Sequence, residues 1–116
     1  MSEWDVHLTD AFARGIELFN RSEFYDAHEV LEDVWRANSG PEKKFLQGLI
    51  QLAVALHHHS KGNPRGARSL LARSARNMQP FPDGFCGIQV SRVLHSITEC
   101  ECALDANTPL PPPPKL

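Results

Sequence analysis

The segment FLQGLIQLAVALHHH, residues 45–59, carries apolar side chains around nearly its whole circumference when it is drawn as a helix. A helix of this kind is covered by neighbours on most of its sides, so we expect it at the centre of a helical protein. Its polar exceptions form one stripe, because Gln51 and His58 lie only about 40° and 20° from Gln47 at about 100° per residue. The two glutamines need hydrogen-bond partners, since a buried unpaired amide costs about 1 to 3 kcal/mol.

Helical spacing of apolar residues predicts four further helices around this central one. The predicted helices cover residues 9–20, 22–37, 41–60, 64–78 and 88–104. Ser22 is the expected N-cap of the second helix. Gly62, Asn63 and Pro64 supply a helix stop, an N-cap and a first-turn proline before the fourth.

These elements predict an all-α fold of about five helices in antiparallel hairpins, loosely like a tetratricopeptide protein. A weak internal echo supports the hairpins, because an offset of 40 lays Ala27 on Ala67 and Leu31 on Leu71. The chain of 116 residues suits one compact domain, which we assign to residues 1–106. Residues 107–116 hold five of the nine prolines and are expected to form an extended tail.

Composition limits the classes of partner and compartment. The chain has 12 basic and 14 acidic residues and a net charge of -2, so no overall field attracts nucleic acid or an anionic membrane. We therefore expect no membrane binding and do not favour a nucleic acid partner. No apolar run reaches the roughly 18 residues of a membrane span, and we expect a soluble, cytoplasmic protein. Three cysteines without a CxxC motif argue against a disulfide framework.

Arginines cluster on one side of the predicted fourth helix. Arg65, Arg68, Arg73 and Arg76 fall within about 140° of one another, and residues 61–78 contain no acidic residue. Such a face can hold phosphate or RNA. With the net charge slightly negative, we favour the interpretation that it is solvated and complements the acidic second helix.

The segment FYDAHEVLEDVW, residues 24–35, places polar groups beside the buried face of the second helix. His28, Glu32 and Trp35 fall within about 60° of one another at its margin. Three acids on the opposite side are expected to be solvated, and Glu32 and Asp33 can pair with Arg36. A hairpin turn near Ser39 would place Glu32 opposite Gln47 and His28 opposite Gln51. The predicted ligand-site residues are Tyr25, His28, Glu32, Trp35, Gln47 and Gln51.

Three uses of this polar site stay open at the level of sequence. In the first, the groups form a hydrogen-bonded clasp that fixes the hairpin register. In the second, which we favour, the protein is a non-enzymatic module that binds a small ligand or another protein. In the third, His28, Glu32 and His58 hold a divalent transition metal in a hydrolase-like enzyme. The sequence does not decide whether the protein is an enzyme or how many subunits assemble.

The residues resemble those of the bacterial and archaeal family called domain of unknown function 309. The resemblance rests on FYDAHEVLEDVW at 24–35, FLQGLIQLA at 45–53 and KGNPRGA at 61–67, and it covers about residues 12–93. It implies a small all-helical fold, and it implies no activity, because the family has none assigned. The signature residues of the resemblance are His28, Glu32, Asp33 and Trp35.

Overall fold

A computed structural model describes residues 6–116, with side chains from Asp10 onward. This part of the chain forms five α-helices and no β-strand, which confirms the predicted fold class. Helix α1 spans Val6–Asn20, α2 spans Phe24–Ala37, α3 spans Glu42–Ser60, α4 spans Pro64–Met78 and α5 spans Val90–Asp105. Each helix packs on the next one in the chain, which fits the predicted antiparallel hairpins.

Helix α3 is the centre of the structure, as its apolar circumference predicts. It packs on α2 on one side and on α4 on the other. Its buried apolar positions are Phe45, Leu46, Gly48, Leu49, Leu52, Ala53, Ala55 and Leu56. Neither α3 nor any other helix in residues 6–116 is long and apolar enough to cross a lipid bilayer.

The backbones of α3 and α4 come close together at Gly48. The buried hydroxyl of Ser74 donates a hydrogen bond of 2.7 Å to the carbonyl oxygen of Gly48. A Cβ atom added at Gly48 would lie 2.5 Å from Cγ of Met78 and 3.2 Å from the carbonyl oxygen of Ser74. A glycine is therefore needed at position 48 for the two helices to approach this closely.

The helix starts follow the predicted signals in one case and differ in another. Asn63 caps α4 as expected, because its Oδ1 accepts a 3.0 Å hydrogen bond from the backbone N–H of Gly66. The prediction that Ser22 caps the second helix is wrong. Ser22 has a left-handed φ of 63° and its N–H bonds to the carbonyl of Phe19, so it closes α1 instead. Glu23 precedes α2 without a side-chain cap.

The connection from α4 to α5 is longer than the sequence predicts. Residues Phe85–Gly87 form a short 3-10 turn, and α5 begins at Val90 rather than near Ile88. Ile88 is nevertheless buried. The ring centroids of Phe81 and Phe85 lie 5.3 and 5.0 Å from that of Phe45, so the loop covers one end of α3.

Asp83 caps α5 from this loop. Its carboxylate accepts hydrogen bonds of 2.7 Å from the backbone N–H and 2.9 Å from the hydroxyl of Ser91, in the first turn of the helix. Both bonds favour the charged form, so they lower the pKa of Asp83 below its ordinary value. The loop supplies the cap that Gln89, at the N-cap position, does not.

The C-terminal residues lie against the last residue of α1. No regular element is present in residues 108–116, and Pro114 is buried. The Nζ of Lys115 and the backbone N–H of Leu116 donate hydrogen bonds of 2.8 Å to the backbone and side-chain oxygens of Asn20. The division into a domain over residues 1–106 and a separate tail over 107–116 stays a prediction.

Replacing Gly48 by alanine is expected to lower the free energy of unfolding by about 1 to 2 kcal/mol. Overpacking costs about 1 to 3 kcal/mol, and the better helix propensity of alanine returns about 1 kcal/mol at most. Urea denaturation measures the change. Gln47→Ala, at the neighbouring exposed position, is the control and should shift stability by less than about 0.5 kcal/mol. Equal stability of Gly48→Ala and the native protein would contradict the close helix contact.

Asp83→Asn is expected to lower the melting temperature at neutral pH, because an amide oxygen is a weaker cap acceptor than a carboxylate. A lowered pKa makes this contribution fully present above the ordinary value of 3.8. The contribution is lost as the pH falls through the folded-state pKa of Asp83. Melting curves recorded from neutral to strongly acidic pH should show the difference shrinking in acid. Asp10→Asn, at an exposed carboxylate of α1, should show no such trend.

Candidate functional site

An exposed aromatic side chain marks the outer end of the hairpin formed by α2 and α3. Tyr25 is 51% exposed, and it is the only large hydrophobic residue with this exposure in the part of the chain that the structure describes. Its ring centroid lies 5.1 Å from that of His28 and 5.3 Å from that of His57. We call Tyr25, His28 and His57 the tyrosine cluster. Its ring stands between two imidazoles at the protein surface.

His28 is oriented by its own helix. Its Nδ1 lies 2.8 Å from the carbonyl oxygen of Tyr25, and because a carbonyl only accepts, Nδ1 carries the proton and donates. The neutral ring then has its lone pair on Nε2. His28 can therefore accept a hydrogen bond, take up a proton or bind a metal through Nε2 alone.

The histidine that meets α2 is His57 rather than the predicted His58. In an antiparallel hairpin, residues that are equally far from the turn are expected to face each other. Near the turn this expectation holds, because Lys43 lies over the ring of Trp35, and each is four residues from Ser39. At the far end Tyr25 meets His57, whereas equal distance from Ser39 would place it opposite residue 53. Side chains lean toward the N-terminus of their helix, so Tyr25 leans away from the turn and His57 leans toward it. The two rings meet because the side chains lean toward each other from opposite ends of that gap.

Glu32 does not pair with Gln47. Its carboxylate forms an ion pair with the guanidinium of Arg36, which also bonds to Asp33 at 2.8 Å. Gln47 is exposed, and within residues 10–116 no hydrogen bond joins it to Glu32. The pairing within α2 needs no partner on α3, because residues four apart on a helix are already neighbours.

Gln51 faces α4 rather than His28. Its Oε1 accepts a 2.8 Å hydrogen bond from Nδ2 of Asn77 on α4. Both side chains are half-buried, so the bond satisfies amide groups that water reaches only in part. Of the polar stripe of α3, Gln51 therefore belongs to the contact between α3 and α4, and the predicted facing of Gln51 and His28 is wrong.

Trp35 lies at the opposite end of α2 from Tyr25. The two residues are ten positions apart, which is about 15 Å along a helix, so they do not line one shared ligand pocket as the sequence predicts. The Nζ of Lys43 lies 4.3 Å from the centroid of the Trp35 ring. At the same turn, the indole N–H of Trp35 and Oε2 of the buried Glu42 lack hydrogen-bond partners.

The predicted metal ligands do not come together. In the described part of the chain, no three side chains of the histidine, cysteine, aspartate and glutamate types are grouped so that they could hold a metal ion. Glu32 is engaged by Arg36, and the ring of His58 lies 6.4 Å from that of His57. The set of His28, Glu32 and His58 is therefore corrected, because the hairpin register brings His57 and not His58 to α2.

Two residues of the site were missed by the reasoning from sequence. His57 could have been found from the distance of each residue to the turn, if the tilt of helical side chains toward the N-terminus had been included. Asn77 gave no such signal, because helical periodicity says which residues share a face and not which neighbouring helix covers that face.

A second polar cluster joins α4 to α5. Arg68 donates a 3.1 Å hydrogen bond from Nε to Asp105 and forms an ion pair with Glu101. These carboxylates, Asp105 first, raise the pKa of Arg68. A surface cavity of about 470 Å³ lies beside the cluster, lined by Pro64, Arg65, Arg68, Ser69, Leu104 and Asp105. The positive charge of Arg68 is therefore already balanced by Glu101 and Asp105.

Comparison with known proteins finds relatives without an assigned function. A family model described as "Domain of unknown function (DUF309)" matches residues 12–70. An "Uncharacterized protein" of Aquifex aeolicus (strain VF5) is 38% identical over 76 residues, which are 65% of this chain and 23% of that protein. "Uncharacterized protein YpuF" of Bacillus subtilis (strain 168) is 38% identical over 65 residues, which are 55% of this chain and 37% of that protein. The matched segment thus spans less than half of either relative.

Substitutions of Gln51 and Glu32 distinguish the observed pairing from a polar clasp. Gln51→Ala is expected to lower the free energy of unfolding by about 0.5 to 1.5 kcal/mol, because Asn77 loses its acceptor. Glu32→Ala should change it by less than about 0.5 kcal/mol, because an exposed ion pair on one helix is screened by water. Chemical denaturation measures both. A loss of about 1 to 3 kcal/mol for Glu32→Ala would instead support a clasp between α2 and α3.

Proposed function

The chain belongs to the family called domain of unknown function 309, and we propose that it is a non-enzymatic binding module whose contact surface is the tyrosine cluster. The observation that carries this proposal is the exposure of Tyr25 between His28 and His57. The partner is a protein or a peptide. A tyrosine that stands out from a helical surface supplies an apolar ring and a hydroxyl to a partner of that kind.

The physical case for a protein partner rests on preorganisation. Tyrosine is enriched among the residues that contribute most to protein interfaces. Contacts with two imidazole rings restrict the Tyr25 ring before binding, so less side-chain freedom is lost when a partner covers it. The imidazoles add polar atoms at the rim, including Nε2 of His28.

The surrounding polar groups support binding over catalysis. Glu32 is engaged by Arg36 and Gln51 by Asn77, so neither is free to orient the His28 imidazole. The Nδ1 of His28 donates to a backbone carbonyl, whereas a general base in a catalytic pair is commonly oriented by a carboxylate. In both relatives the matched segment is the smaller part of a longer protein, which fits a module that works beside other segments.

Peptides selected on the folded protein from a random displayed library are the probe that tests this proposal. Their dissociation constants are then measured by fluorescence anisotropy for the native protein, Tyr25→Ala and Asp33→Ala. Tyr25→Ala is expected to weaken binding by at least about 10-fold, the scale of an interface hot spot. Asp33→Ala changes an exposed residue of α2 about 80° around the helix and about 12 Å along it from Tyr25, and it should leave the constant within about twofold. Circular dichroism checks that each variant keeps its helices.

Two outcomes would overturn the proposal. One is peptides that bind Tyr25→Ala as tightly as the native protein, which would place the contact surface elsewhere. The other concerns metal content in protein purified without metal-affinity columns. Stoichiometric metal that disappears in His28→Ala would replace the binding module by a metal centre that uses Nε2 of His28.

A further inference from the structure

Helix α4 presents a row of exposed hydrogen-bond donors to solvent. Arg65, Arg73 and Arg76 are exposed, and so is Ser69 between them. At about 100° per residue, Ser69, Arg76 and Arg73 lie about 40°, 20° and 80° from Arg65, so the four side chains share one face. We call these four residues the arginine stripe.

The arginine stripe has no carboxylate partner in the part of the chain that the structure describes. Among the described residues, no aspartate or glutamate oxygen lies within 4.0 Å of a guanidinium nitrogen of Arg65, Arg73 or Arg76. The fourth arginine of the helix, Arg68, points to α5 and pairs with Glu101 and Asp105. Residues 61–78 also contain no acid of their own. The three remaining arginines of α4 therefore form no ion pair with any described residue.

The exposure of these side chains agrees with the interpretation that this face is solvated, and its complementing of the acidic second helix stays a prediction. Helix α4 packs on α3 and α5, whereas α2 packs on α1 and α3. Among the described residues, the ion pairs of the α2 carboxylates Glu32 and Asp33 are with Arg36 of their own helix and not with the arginine stripe.

The donors of the stripe match a row of phosphates. Arginine can donate two parallel hydrogen bonds to one phosphate. The hydroxyl of Ser69 can donate one further hydrogen bond to a phosphate oxygen. Arg65 and Arg76 are eleven residues apart, about 16 Å along the helix at 1.5 Å per residue. The two strands of a duplex together carry about one phosphate charge per 1.7 Å of axis, so a stripe of that length lies within reach of several phosphates. Each arginine can then contact a different phosphate at the edge of a groove.

Two further features of α4 favour a nucleic acid duplex over a single strand or a membrane surface. Surfaces that bind single strands combine positive charge with aromatic stacking, and residues 61–78 contain no aromatic side chain. Helices that lie on membranes insert an apolar face. The apolar face of α4, which includes Ala67, Leu71 and Met78, is already buried in the protein. A duplex, contacted only along its backbone, fits the stripe best.

We propose that the arginine stripe binds the phosphate backbone of duplex nucleic acid without reading its sequence. The inference is independent of the tyrosine cluster, which lies on α2 and α3. Arg65 and Ser69 lie within the residues that the family model matches, and Arg73 and Arg76 lie beyond them. Three phosphate contacts make the binding weak and strongly dependent on salt.

Fluorescence anisotropy with labelled DNA duplexes of two unrelated sequences tests this proposal over a range of salt concentrations. The two duplexes should bind with equal dissociation constants. The logarithm of the binding constant should fall against the logarithm of salt concentration with a slope of about -2.7, at about -0.9 for each phosphate contact. Removing two contacts in Arg73→Gln/Arg76→Gln should reduce the slope to about -0.9.

The matched control is Arg14→Gln/Arg21→Gln, which changes the net charge equally at an exposed residue of α1 and at the exposed residue that follows its end. Its slope should equal that of the native protein. An equal reduction in both double variants would overturn the proposal, because net charge alone would then explain binding. Tighter binding to a single strand, to anionic lipid vesicles or to an acidic peptide than to the duplexes would also overturn it. So would the absence of duplex binding at the lowest salt concentration.

Discussion

The close contact between α3 and α4 at Gly48 is the constraint on which the remaining structure depends. Without a side chain at this position, the α3 backbone comes near enough to accept a hydrogen bond from the buried hydroxyl of Ser74. Dense packing then leaves one relative position for the two helices. That position points Arg68 toward α5 and leaves the opposite side of α3 to α2.

A central helix with two neighbours divides its polar residues between them. Gln51 turns to α4, His57 meets α2, and Gln47 is left in solvent. The hairpin of α2 and α3 is therefore held chiefly by apolar packing, including Leu31 and Leu49 in the core. Because the packing does not need Tyr25, this residue is free to present its ring at the surface.

The protein thus has two surfaces of different chemistry that internal contacts leave available. The tyrosine cluster is an aromatic patch with imidazoles at its rim, and it lies in the segment that the family model matches. The arginine stripe is a row of cations on α4 that extends past the matched segment. A partner of one surface need not approach the other, because the two surfaces lie on different helices. The family match covers all of the first surface and only Arg65 and Ser69 of the second.

Reasoning from the sequence alone determined the all-helical class, the five helices, the central position of α3 and the cap at Asn63. These features follow from local patterns, because periodicity and capping act over a few neighbouring residues. It also predicted that His28 and Glu32 lie at the margin of the buried face, where both are half-buried. It did not determine the partners of Glu32, Gln51 and Tyr25. A shared face can meet either of two neighbouring helices, and only the tertiary packing of α3 between α2 and α4 decided which one.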